Sequence, residues 1–77
     1  MRTPQAKLPP TPTQARVYRF VERSIREMGY PPTLREIAKH FGWRSENSAI
    51  NHIGALVRKG WLVRDPLVSR GLRLTGR

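Results

Sequence analysis

The feature that most constrains this chain is its helix punctuation. Thr11-Pro12-Thr13-Gln14 and Thr33-Leu34-Arg35-Glu36 share one form, T-x-x-Q/E. In that form a threonine hydroxyl accepts from the amide three residues on, and the Gln or Glu side chain reaches back to the threonine amide. Pro12 suits the first helical position, where its missing N–H costs nothing. Ser45 opens a third segment as a cap, and Gly29, Gly42 and Gly60 stand where the three segments must stop. Tyr30-Pro31-Pro32 then forbids continuation past Gly29.

Apolar spacing fills the brackets. Val17, Phe20, Val21, Ile25 and Met28 recur at three- and four-residue steps, which predicts a helix over residues 12–28 with one buried face. Leu34, Ile37, Ala38 and Phe41 predict a short helix over 34–41, and the pattern after Ser45 predicts a third over 46–59. The turn between the second and third is short and carries Gly42, which is a helix-turn-helix layout. Trp61-Leu62-Val63-Arg64 and Gly71-Leu72-Arg73-Leu74 read as two strands joined by a loop over 65–70. Such a hairpin is unstable alone and must pack on the helices. The expected fold is therefore mostly α with a small β-hairpin. One domain spans 11–75, behind a flexible, basic, proline-rich arm over 1–10.

Charge narrows the function. Fifteen Lys and Arg face five Asp and Glu among 77 residues, a formal +10, and all but three of those cations are Arg. The guanidinium fork suits phosphates and guanine edges, so a polyanion is the natural partner. The chain has no cysteine, which removes disulfides and thiolate metal sites. Its opening lacks the apolar core of a secretory signal, and no apolar run reaches membrane-spanning length. The expectation is a cytoplasmic, nucleoid-associated protein with no membrane partner. His40 and His52 lack metal-ligand spacing, and the few acids and lysines form no catalytic dyad. We expect no enzyme, no metal and no cofactor.

Helix three carries the sharpest signal. At about 100° per residue, Ala49, Ile53, Leu56 and Val57 fall on one side as the core face. The other side carries Asn47, Asn51, Gly54 and Arg58, flanked by Ser48 and Ile50. An ordinary solvated helix would show more long charged side chains there. Asn pairs bidentately with adenine, an aliphatic group meets a thymine methyl, and hydroxyls serve bases or phosphates. Simple solvation is the other reading of the two asparagines. For Gly54 the alternatives are close approach to a DNA backbone, close packing on helix one, or a tolerated flaw. Ile50 stands evenly between groove contact and core edge. Ser45 and the first amides of helix three form an anion site, with Arg44 beside it. Arg58 and Lys59 close the far end, where they grip phosphate or complement the helix dipole. Ser69 and Arg70 lie in the hairpin loop, at a backbone contact or in a plain exposed turn. Trp43 and Trp61 flank helix three and read as core or core edge, and His52 reads as a packing residue.

The stretch GYPPTLREIAKHFGWRSENSAINHIGALVRKG, followed by SRGLRL, resembles the N-terminal DNA-binding domain of LexA-type SOS repressors. The shared positions are Pro31, Pro32 and Thr33; Glu36, Ile37 and Ala38; Gly42 to Ser45; Asn47; His52 and Ile53; Arg58 to Gly60; and Ser69 to Leu74. The resemblance implies a three-helix winged helix-turn-helix with a two-stranded antiparallel wing, bound to a double-stranded DNA operator. It carries base contact onto Ser45, Asn47, Ser48, Ile50 and Asn51, and wing contact onto Ser69 and Arg70. Backbone contact is expected of Arg44, Gly54, Arg58 and Lys59 as well. The family often has acids where Ile50 and Asn51 stand, so its CTGT-type half-site is not carried over. The family's self-cleaving Ser-Lys domain lies outside these 77 residues, and self-cleavage is not expected of them.

The resulting expectation is a sequence-specific transcriptional regulator, a repressor, working as a homodimer on DNA or beside a full-length repressor. Helix three reads the major groove, and the wing touches the backbone or minor groove. The alternative is a small interaction module that modulates a full-length LexA-like repressor or the transcription machinery. RNA binding is a minor third reading.

Overall fold

The computed structural model describes residues 8–75. Three helices lead into a hairpin: α1 (Pro12–Met28), α2 (Leu34–Phe41), α3 (Glu46–Arg58), β1 (Leu62–Arg64) and β2 (Leu72–Leu74). The strands pair antiparallel, with Leu62 opposite Leu74 and Arg64 opposite Leu72. This is a winged helix-turn-helix.

Both capping boxes form. The Gln14 amide donates to Thr11 Oγ1 at 3.2 Å and the Thr11 amide to Gln14 Oε1 at 3.0 Å. The second box repeats this between Thr33 and Glu36 at 3.1 and 3.0 Å. Ser45 caps α3 through the Asn47 amide at 3.3 Å. Gly42 takes φ 73°, a left-handed turn that only glycine adopts freely, and so reverses the chain between α2 and α3. Helix α3 ends one residue before the expected boundary, with Lys59 as its cap. Trp61 and Gly71 fall just outside the ladder.

Every element contributes to one core. Val17 and Val21 come from α1, Ile37 and Ala38 from α2, Ala49, Ile53 and Leu56 from α3, and Leu62 and Leu72 from the hairpin. In the hairpin, alternation puts Leu62, Leu72 and Leu74 inward while Val63 and Arg73 face water.

Two sequence expectations need correction. Val57, expected in the core, is 37% exposed, whereas Ala55 is buried. Helix α3 packs against β1 as well as against α1 and α2, and this turns its buried arc toward Ala55. Met28, the last helical residue of α1, lies past the end of the core and is 61% exposed. The arm is docked at its inner end. The Leu8 amide donates to Lys59 O at 3.1 Å, and Trp61 Nε1 donates to Leu8 O at 2.7 Å. Packing among the described residues therefore reaches back to Leu8, ahead of the helix cap at Thr11. The rest of the expected arm, residues 1–7, lies outside the described residues.

Candidate nucleic-acid interface

An aromatic brace sets the angle at which α3 is presented. The Trp43 amide donates to Ala38 O at 2.9 Å, which folds the turn back onto α2. Its ring stacks on Phe41 at 5.0 Å and on His52 at 4.7 Å. His52 Nδ1 lies 2.7 Å from Ser48 O. A carbonyl only accepts, so Nδ1 carries the proton. The brace thus runs from the end of α2, through the turn, into mid-α3. Such contacts fix the orientation of a helix more firmly than a loop would.

With α3 held so, Asn47, Asn51 and Arg58 are exposed and Ser48 is half-buried. Ile50 is 38% exposed, so it belongs to the outer face and not to the core. Gly54 is half-buried, and a Cβ there would meet only Arg58 Nη1, at an ordinary 3.5 Å. Packing on α1 therefore does not require a glycine at this position. Ser45 and Arg44 stand exposed at the start of α3. They border a concavity of about 410 Å³ shared with Arg35, Lys39 and Trp43 of the neighbouring segment. Neither Arg44 nor Arg58 has an ion-pair partner among the described residues. Glu46, the one acid on α3, lies 3.5 Å from Arg35.

Two expected backbone contacts are engaged inside the protein. Arg70 Nη1 donates to Glu36 Oε1 at 2.8 Å and to Pro31 O at 2.9 Å, while Nη2 donates to Glu36 Oε2 at 2.8 Å. Its guanidinium also lies 4.7 Å from the centre of the Tyr30 ring. The Arg70 hydrogen bonds, with help from the Thr33 amide, hold the Glu36 carboxyl down to about 2, and Glu36 in turn raises Arg70. The Arg70 side chain thus ties the wing to the cap of α2. Lys59 Nζ donates to Gln14 Oε1 at 2.7 Å and to Pro9 O at 3.2 Å, tying the inner arm to α1. Ser69 stays exposed in the wing loop.

The wing loop is tightly built. The Asp65 amide donates to Gly71 O at 2.9 Å, and Asp65 Oδ1 accepts from the Leu67 amide at 3.0 Å. A Cβ at Gly71 would collide with Asp65 O and lie 2.9 Å from Val68 O. This fold thrusts Leu67 outward, 92% exposed, with Val68 half-exposed beside it. Neither stands out in the sequence, because an apolar pair within a predicted loop carries no periodic signal. A groove of about 400 Å³ separates the loop from the starts of α2 and α3, lined among others by Thr33, Arg35, Glu46 and Ser69.

Among the described residues no helix is long and apolar enough to cross a membrane, and no group of His, Cys, Asp and Glu is arranged to hold a metal.

Residues 7–71 match the family model described as the LexA DNA binding domain. The chain is 51% identical over 63 residues to the LexA repressor of Sorangium cellulosum, covering 82% of this chain and 27% of that protein. It is 46% identical over 66 residues to the LexA repressor of Pseudomonas chlororaphis, covering 86% of this chain and 33% of that protein. To LexA repressor 1 of Pseudomonas putida it is 44% identical, with the same coverage of 86% and 33%. The chain thus spans no more than about a third of the length of these relatives.

Proposed function

The chain belongs to the LexA DNA-binding domain family, and from that membership we propose that it is a sequence-specific double-stranded DNA-binding transcriptional regulator, acting as a repressor. The observation that carries the proposal is the outer face of α3. It offers two exposed amides, an aliphatic group and a glycine that packing does not require, on a helix braced at its turn. Helix α3 enters the major groove. Asn47 and Asn51 pair with base edges, Ile50 meets a methyl group, and Ser45 and Ser48 serve bases or phosphates. Arg44 and Arg58, without an ion-pair partner among the described residues, grip the phosphates at either end of the helix. Gly54 lets the helix approach closely. The wing, tied down by Arg70, brings Ser69 to the backbone or minor groove.

Residues 8–75 act as the DNA-binding unit. The protein works in the cytoplasm, at the nucleoid, without chemistry of its own. Its partners are an operator duplex and either a second copy of the chain or a longer repressor.

Selection from a random duplex library at near-physiological salt tests the proposal. A recovered motif is the expected result, a palindrome if two copies bind and a single half-site if one does. No motif, with binding that vanishes as salt rises, would reduce the protein to a non-specific polycation.

A further inference from the structure

The function proposed above leaves one charged surface unused. Arg16, Arg19, Arg23 and Arg26 recur along α1 at steps of three, four and three residues, and all are exposed. Successive residues at this spacing lie on one side of a helix, and the four extend over about 15 Å of its axis. Glu22 and Glu27 are on the same helix. Yet the ion pairs among the described residues are Arg35–Glu46 and Arg70–Glu36, so no carboxylate neutralises the stripe within salt-bridge distance. Three of its arginines also border one hollow. Arg16, Arg19 and Arg23 line a concavity of about 270 Å³ with Phe20, His40 and Phe41, where α1 meets the end of α2. His40 stacks on Phe20 at 4.0 Å, closing its floor with a flat face.

We infer that this stripe is a second phosphate-binding surface, which holds the backbone of a second DNA duplex while α3 engages the first. The inference rests on the DNA-binding reading of α3. The packing supplies the geometry. Helices α1 and α3 meet across the core through Val17, Val21, Ile53 and Leu56, so their outer faces point away from each other. The stripe, which borders the end of α2, is thus set off from the face that carries Asn47 and Asn51. Phosphate is favoured because the cations are all arginines, whose paired donors fit its oxygens, and because they flank a pocket without an acid lining it. A protein bearing both surfaces joins two duplexes.

The test is a capture experiment with the whole chain. One duplex is fixed to beads, the protein is added, and a second, fluorescent duplex is offered at rising salt. Capture is expected. The variant Arg16→Gln/Arg19→Gln/Arg23→Gln should capture at least about tenfold less and lower the log–log salt slope of capture by about three, while its affinity for a single duplex stays within about twofold. Its melting temperature should be unchanged, because all three side chains are exposed. Unchanged capture in the variant would overturn the inference, as would loss of capture and single-duplex affinity in equal measure. Absence of capture by the unmodified chain would do the same. Tighter binding of a polyglutamate peptide than of duplex at the stripe would overturn it in favour of an acidic protein partner. The reading of α3 fails separately, if Asn47→Ala/Asn51→Ala keeps full sequence preference while capture persists.

Discussion

Replacing Gly54 with alanine separates folding from recognition at a single methyl group. Glycine within a helix is disfavoured by about 0.8–1.0 kcal/mol relative to alanine, largely through backbone entropy. The new Cβ would touch only the Arg58 guanidinium, at 3.5 Å, and that side chain is exposed and free to move. The substitution should therefore stabilise the protein by most of that amount. In a domain of this size such a gain raises the midpoint of thermal unfolding by about 4–8 °C. Against DNA the sign reverses. If Gly54 lies against the duplex, the methyl enters a packed interface, where one extra group costs about 1–3 kcal/mol, or roughly 5- to 150-fold in Kd. Circular dichroism melts and fluorescence anisotropy with a selected duplex read the two effects on one sample. A lower melting point would refute the packing argument. A higher melting point with unchanged affinity would place DNA away from this face.

Two further perturbations probe the wing. The Glu36 carboxyl is held down to about 2, first by its hydrogen bonds to Arg70. Because its folded value lies below its unfolded one, the stabilisation is full above about pH 4.5 and is lost as pH falls toward 2. Arg70→Ala should raise the Glu36 titration toward the ordinary carboxylate range, read by NMR, and flatten acid destabilisation in that window. The same variant should weaken binding to all sequences alike, and a Glu36 titration unmoved by it would refute the clamp. Gly71→Ala drives a methyl against Asp65 O and Val68 O. It should open the wing loop and speed hydrogen exchange at the Asp65 amide, while amides of α1 keep their protection. Equal loss of protection in α1 would show that the hairpin and the helices unfold as one unit.

Local signals in the sequence set most of the fold. The bounds of α1 and α2 match their capping boxes and terminal glycines, because a cap is decided by residues two or three apart. The wheel for α3 placed Ala49, Ile53 and Leu56 correctly and misplaced Val57, because periodicity cannot say which flank the hairpin will cover. The exposed side of α3 was legible for the same reason that its core was. The internal bonds of Arg70 and Lys59 were not legible because their partners are distant, 34 residues away at Glu36 and 45 at Gln14. The docked end of the arm depends on a bond across 53 residues, from Trp61 to Leu8. Proline content and missing periodicity describe such a segment as an arm, and only the fold brings its acceptors to the end of α3.

The central claim, that α3 reads bases through its asparagines, is tested most directly by a ratio. The affinities of the unmodified chain, Asn47→Ala and Asn51→Ala are measured for the selected duplex and for a scrambled one at the same salt. A bidentate amide–adenine pair is worth about 1–3 kcal/mol of discrimination. Each variant should therefore lower the selected-to-scrambled ratio by roughly 5- to 150-fold, while affinity for the scrambled duplex stays near that of the unmodified chain. Equal losses on both duplexes, or no change on either, would contradict the placement of this face in the groove.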